Sequence, residues 1–281
     1  MRVSNLPRRL AQIVRYARLA HTSNDVAPLI ALGVARHHPF NEGDLLGRLG
    51  HKLYPQLSFR LAQLGGMRFS LDPADRDHMI IFEEVVLPHA YDAKLPFKPD
   101  AIFDCGGHIG LFSLTAAHQY PDVPLTIFEP NPRNLIYLRR NLELNSLNVT
   151  IIDAAVSIAD GEDWFEDVAS SRGQLSSSGP PTQVFENDRH DKFKVRVIDF
   201  PAYFKKQNCQ APLIKIDIEG EEMRVIPALV DLLPRTSAVF FETHRGEPGW
   251  HEIEELFSSR GFTVERRKVW KHCSDGLAIR N

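Results

Sequence analysis

AIFDCGGHIGLFSLTAAHQYPDVPLTIFE, residues 101–129, is the stretch from which the fold is read. Ala101, Ile102 and Phe103 form a short apolar run that stops at Asp104. The turn Cys105-Gly106-Gly107-His108-Ile109-Gly110 follows, and Leu111 to His118 read as a helix. A second apolar run, Leu125 to Phe128, ends on Glu129. Strand, glycine-rich turn, helix, strand and acid is the layout of a nucleotide-binding βαβ unit. A turn that passes close beneath a ligand favours residues without a Cβ, and the helix N-terminus offers unpaired N–H groups. A carboxylate closing the second strand can accept from both hydroxyls of a ribose.

Spacing within the turn separates the nucleotides. The dinucleotide fingerprint G-x-G-x-x-G fails, because His108 stands two places after Gly106. The pattern present is D-x-G-x-x-x-G, from Asp104, Gly106 and Gly110. It resembles the class I S-adenosylmethionine-dependent methyltransferases. That resemblance implies a loop holding the amino-acid end of the cofactor, with Asp104 beside its ammonium. Next to a pyrophosphate an aspartate would repel.

Composition sets limits on the rest. A chain of 281 residues with 43% apolar content can bury one large core, or one core plus an appendage. A net charge of -3 gives no reason to expect a nucleic-acid partner. Cys105, Cys209 and Cys273 are odd in number, widely spaced and outside any metal-ligand pattern. They fit a reducing, cytoplasmic setting without disulfides or structural zinc. No apolar run approaches the length of a membrane span.

Upstream, Arg2, Arg8, Arg9, Arg15 and Arg18 accompany Leu10, Ile13, Val14, Ala17 and Leu19 at helical spacing. This predicts a basic amphipathic helix that is an organelle presequence, a membrane-surface contact or a docking helix, or that packs on its own domain or a second subunit. A further helix is expected over Asp44 to Tyr54. Alternation in Ser58 to Leu71 around Gly65-Gly66 predicts a hairpin. Asp75 to Tyr91 reads as a helix burying Ile80, Ile81, Phe82, Val85, Val86 and Leu87. Residues 1–95 then form an extension, a lid or a dimerisation element, and 96–281 the cofactor-binding domain.

Downstream, Asn131 to Asn145 is a helix with Leu135, Leu138 and Leu142 on its apolar stripe. Val149 to Ile152 is a third strand. It ends in Asp153-Ala154-Ala155, which either suits an adenine with an exocyclic amine or is an ordinary turn. Gly161 to His190 is polar and reads as a functional or disordered loop. Trp164 and Phe165 in it are a substrate wall or core residues. Lys194 to Phe200 resumes as a strand. In PLIKIDIEGEEMRV (212–225), Lys215 and Asp217 share one face of a buried strand, and Glu219, Glu221 and Glu222 open a helix. Asp217 would end the strand beside the glycine-turn strand, where doubly wound sheets bind ligands. Ala238 to Glu242 is another strand, followed by Thr243-His244. His251 to Arg260 is a helix, and strands over Phe262 to Trp270 and Leu277 to Arg280 flank a turn at Ser274-Asp275-Gly276.

FEEVVLPHAYD, IFDCGGHIGLFSL, FEPNPRNLIYLRRNLELN, AAVS, LIKIDIEGEE and FFETH occur in family order over roughly residues 75–245. On these pieces the chain resembles the FkbM family of methyltransferases, departing from it at Gly107-His108, where the family commonly has Ala-Asn. The resemblance implies a doubly wound, mostly parallel seven-stranded α/β sheet with one antiparallel strand near the C-terminus. It implies methyl transfer from S-adenosylmethionine to a hydroxyl of a sugar, polysaccharide or secondary metabolite. Asp104, Gly106, Gly107, His108, Gly110, Glu129, Asn131, Asp153 and Ala154 are the candidate cofactor-binding residues. His244 leads the candidates for a general base, with Asp217 and Glu219 as alternatives and Lys215 beside them. Asp217, Glu242 and His244 could instead gather a divalent cation, and a metal-free mechanism is preferred over that. The rivals are a nicotinamide-dependent oxidoreductase, against which the missing glycine and Asp104 count, and a non-catalytic binding protein. A small-molecule or glycan acceptor is the expected partner, and a homodimer is left open.

Overall fold

The structure is a computed structural model that describes residues 6–35, 57–72, 75–86, 90–168, 172–178, 190–269 and 273–281. The extension begins with α1 (Leu6–Ala17) and α2 (Ser23–Ala35), and continues as β1 (Leu57–Arg60), β2 (Arg68–Leu71) and α3 (Arg76–Val85). The helix expected over Asp44 to Tyr54 lies outside the described residues. The predicted hairpin forms, with Phe59 opposite Phe69, and a 3-10 turn over Ala62–Leu64 precedes Gly65-Gly66. α3 is shorter than expected. Asp75 caps it, its side chain accepting from the N–H of Asp77 and His78.

The core runs through β3 (Ala101–Cys105), α4 (Leu111–Gln119), β4 (Leu125–Phe128), α5 (Pro132–Glu143) and β5 (Thr150–Ile152). After β6 (Ala155–Ser157) come β7 (Gly161–Val168), β8 (Arg172–Leu175) and β9 (His190–Asp199). The chain closes with α6 (Phe200–Lys205), β10 (Pro212–Ile216), α7 (Glu222–Leu229), β11 (Ser237–Thr243), α8 (Gly246–Ser258), β12 (Thr263–Val269) and β13 (Ser274–Arg280).

Seven strands make the main sheet in the order β12-β13-β11-β10-β3-β4-β5, with β13 antiparallel to both neighbours. β10 and β4 flank β3 in parallel, so the strand order reverses at the glycine-turn strand. Burial follows from position: every residue of β10 is buried, Lys215 included. Helices cover both faces. Met223, Val225, Ile226, Trp250 and Phe257 pack on one, and Phe112, Ala116, Leu135, Leu138 and Leu142 on the other. The extension buries its own apolar cluster, including Phe59, Phe69 and Phe82, against Ile109, Leu111 and Leu114 of the core. Asn141 fastens it further: its amide donates to the carbonyls of Ser70 and Ile109, and its Oδ1 accepts from the Ser70 N–H at 2.7 Å.

Two expectations are corrected here. The polar stretch from Gly161 is not a bare loop. β7 and β8 form a hairpin that joins β9 and β6 in a second, four-stranded sheet, order β6-β9-β7-β8. Its local signal is masked by acids on β7, and pairing with β9 supplies what the local pattern lacks. Ser274-Asp275-Gly276 is not a turn either. It starts β13, where Gly276 sits opposite Phe241 and leaves room for that ring.

Candidate functional site

The carboxyl ends of β3, β4 and β10 open into one cavity of about 580 Å³. Gly106, Gly107, His108, Glu129, Asn131 and Ala154 line one part of it, and Lys215, Asp217, Glu219, Glu242 and His244 another. From α3, Asp77, Ile80, Ile81, Glu84 and Val85 complete the wall.

Gly106 cannot be replaced without rebuilding the turn. Its φ is +85°, and a Cβ there would overlap the Asp217 carbonyl oxygen. The N–H groups of Gly106 and Gly107 both donate to the Phe128 carbonyl, at 3.0 and 2.9 Å, so the turn is tied to β4. Glu129 ties it again. Its Oε2 accepts from the His108 N–H at 2.7 Å, and its Oε1 from the Asn131 N–H at 2.8 Å and Asn134 Nδ2 at 3.2 Å. A carboxylate offers about four acceptor positions, so one remains for a ribose hydroxyl rather than two. Burial pushes the Glu129 carboxyl up to about 7. His108 holds a left-handed φ of 47°. Burial lowers its imidazole to about 3, so it is neutral, edge-on to the His78 ring.

Asp104 is elsewhere than expected. It is fully buried and does not line the cavity. Its Oδ2 accepts from Ser113 Oγ at 2.6 Å, and its Oδ1 faces Lys215 Nζ at 3.5 Å. This side chain of β3 is turned into the sheet, against Ser113 and Lys215. Lys215 also donates to the Gly106 carbonyl at 2.5 Å and sits 3.4 Å from Asp217 Oδ2. Burial alone would lower its ammonium, but Asp217, Tyr91 and Asp104 raise it well above the usual range. Lys215 is therefore a clamp joining β3, β10 and the glycine turn.

Asp153 is likewise not brought in. Its side chain is 54% exposed and pairs with Arg139 Nη2 at 2.7 Å. Of Trp164 and Phe165, only Phe165 reaches the cavity, because neighbours on a strand point to opposite faces. Sequence reading missed Asp77, Asn134 and Asp167 as lining residues. Only the spacing of Phe165 and Asp167, two apart in β7, could have hinted at the last.

At the end of β11, His244 lies among three acids. Nδ1 faces Glu222 Oε1 at 2.9 Å, while Nε2 faces Glu219 Oε2 at 3.3 Å and Glu242 Oε1 at 3.5 Å. Glu222 is pinned in turn by the N–H groups of Ile218 and Gly220. Burial alone would lower the imidazole, but Glu219, Glu222 and Glu242 raise it well above its ordinary value. An imidazolium so held is a poor proton acceptor, which counts against the leading base candidate. Burial pushes Glu219 up to about 8 and Glu242 to about 7. Donor atoms of Asp217, Glu242 and His244 all lie within 4.8 Å of one another, so these residues have the spacing to hold a cation.

Among relatives, methyltransferase 1 of Beauveria bassiana is 28% identical over 204 residues, covering 66% of this chain and 80% of its own length. Methyltransferase sdnD of Sordaria araneosa is 27% identical over 219 residues, covering 68% and 84%. The 31-O-demethyl-FK506 methyltransferase FkbM of Streptomyces tacrolimicus is 26% identical over 190 residues, covering 59% and 73%. Residues 104–264, over half of the chain, match the methyltransferase FkbM domain, and the chain belongs to that family of methyltransferases.

Proposed function

We propose that the chain moves the methyl group of S-adenosylmethionine to a hydroxyl of a sugar, polysaccharide or secondary metabolite. One observation carries the reading: a single cavity joins a glycine turn flanked by Glu129 to a cluster of carboxylates with raised proton affinity. The residues present fit such a donor. Gly106 leaves the turn without a side chain, and Glu129 keeps an acceptor position for a ribose hydroxyl. When bound, the donor supplies an already activated methyl group, so the protein mainly aligns the reactants and excludes water.

The rest falls to this chain's own side chains. Lys215 fixes the turn by its bond to Gly106 and is a positioning residue. α3 acts as a lid, with Ile80 and Ile81 turned to the cavity. The acceptor hydroxyl gives its proton to the Glu219 carboxylate, whose affinity near 8 suits a base at neutral pH. His244 keeps Glu219 in place. A second reading is favoured by the convergence of Asp217, Glu242 and His244: a divalent cation there lowers the pKa of the acceptor hydroxyl.

Incubation with radiolabelled S-adenosylmethionine and a panel of glycans and metabolite extracts is the test. Alkali-stable label in a hydroxyl-bearing acceptor is expected, and label appearing only on nitrogen or carbon would refute the proposal. Activity that survives EDTA supports Glu219 as the base. Activity lost to EDTA and restored by magnesium selects the cation.

A further inference from the structure

The first helix of the chain is apolar on two sides. Toward the domain, Tyr16 is fully buried, its hydroxyl donating to Glu83 Oε1 of α3 at 2.6 Å and its ring 5.8 Å from that of Phe82. Ile13 meets Gly33 of α2. α1 is therefore already held by α2 and α3 through a stripe of its own. Outside that stripe, Leu10 is 54% exposed and Val14, one turn on, 48%. Arg18 follows Val14 by a further turn, and Arg15 stands next to Val14 in sequence; both are exposed. On α2, Ala27 and Ile30 are exposed as well. The one acid of the two helices, Asp25, is turned inward. It is 7% exposed and accepts from the N–H and hydroxyl of Thr22 and from the Arg60 N–H. In a chain of net charge -3, the outer surface of α1 and α2 thus carries arginine and aliphatic side chains and, among the described residues, no exposed acid.

We propose that α1 docks the protein on an anionic lipid surface, lying in the headgroup plane with Leu10 and Val14 inserted and Arg15 and Arg18 against the phosphates. Aliphatic and cationic side chains exposed on one helix match a boundary with hydrocarbon below and negative charge at its own level. Arginine suits that level, because its stem can lie along apolar surface while its guanidinium reaches a phosphate. The sequence adds Arg2, Arg8 and Arg9, and no acid precedes Asp25. α1 has 12 residues, about 18 Å of helix, and no helix among the described residues is long and apolar enough to cross a membrane. A second copy of the chain fits this face less well. A two-fold contact would set the same arginines against each other, and three aliphatic side chains offer far less than the about 800 Å² that each partner of a stable dimer buries. α3 stands between α1 and the cavity: Phe82 and Glu83 meet Tyr16, while Ile80, Ile81 and Glu84 line the cavity. The docking face and the cavity are separate surfaces, so this inference does not depend on the reaction that the cavity performs.

The test is flotation of the whole chain with vesicles of phosphatidylcholine alone and of phosphatidylcholine mixed with phosphatidylglycerol. The wild type should favour the anionic vesicles by about tenfold or more, since each arginine at such a surface contributes about fivefold. Raising the salt from about 50 to about 500 mM should remove most of that preference. Arg15→Gln with Arg18→Gln should lose most of it at low salt. Leu10→Ser with Val14→Ser should weaken binding to the anionic vesicles by about tenfold, because the inserted aliphatic area is gone. All four side chains are exposed, and circular dichroism checks that the variants fold. Should one not fold, the wild-type lipid and salt series decides alone. Equal binding to both kinds of vesicle, or none to either, overturns the inference. So does unchanged binding in the serine variant, which would leave only a charge contact. Equally tight binding to polyglutamate in solution would assign the face to an acidic protein, and a dimer that the serine variant dissociates would assign it to a second copy. Either result overturns the lipid reading.

Discussion

Two buried charge clusters flank the cavity, and they differ in how far acids outnumber cations. At the foot of the glycine turn, Lys215 faces Asp104 and Asp217 and donates to the Gly106 carbonyl. Asp104 is closed off by Ser113 on one oxygen and faces Lys215 with the other, so that cluster is enclosed by packed strands. Beyond β11, His244 faces Glu219, Glu222 and Glu242, and Asp275 sits opposite Glu242 across β13. Here the excess of acids is larger. Burial pushes Glu219 to about 8, Glu242 to about 7 and Asp275 to about 8. The Lys215 cluster, with two acids to one cation, holds shape. The more acidic one trades protons near neutrality, which a base needs.

The sharpest way to break this contrast is Lys215→Met. It strands the Asp104 charge, and loss of one partner of a buried pair should cost about 3–5 kcal/mol of unfolding free energy. Denaturant titration measures it, and a loss below about 1 kcal/mol would show the clamp to be idle. Glu219→Gln should act on rate instead, lowering turnover by about 10²–10⁴-fold with S-adenosylhomocysteine affinity unchanged. In the wild type turnover should climb through about pH 8 as Glu219 loses its proton, and the variant should lack that limb. A variant that keeps the limb would move the base elsewhere.

The pH dependence of stability sharpens the contrast further. Glu219, Glu242 and Asp275 hold protons more tightly in the folded chain than at their ordinary values of 4.5, 4.5 and 3.8. The folded state therefore binds more protons between those values and about 8. Their contribution to stability is complete below the ordinary values and drains as pH rises through the folded ones. The thermal midpoint should thus fall between about pH 5 and pH 8, by a few degrees. A midpoint rising over that window would contradict the imbalance. The smallest effect belongs to Glu129→Ala, which removes one ribose acceptor and should weaken S-adenosylhomocysteine about tenfold by calorimetry.

How far the sequence carried these conclusions depends on the range of each interaction. The unit from Ala101 to Glu129 was legible because its strands, turn and helix are each set by neighbours in sequence, and the observed bounds fall within a residue or so. Asn131 as a cap and Leu135, Leu138 and Leu142 as a buried stripe follow from the same local rules. The hairpin of β7 and β8 was not legible. Its first strand reads GEDWFEDV, and the pairing that steadies it comes from β9, which begins at His190. Residues 23–35 form α2, which carries Pro28 and shows little amphipathic pattern, so it too went unread.

The site divides along the same line. Sequence alone determined that a glycine turn and Glu129 would meet at the mouth of a parallel sheet, because backbone conformation and strand ends are local matters. Which carboxylates face that mouth was decided only by tertiary packing. Asp104 turns inward to Ser113 and Lys215, Asp153 outward to Arg139, and Asp167 arrives from a second sheet. A side chain's direction on a strand is fixed by register, and register is settled by partners far along the chain.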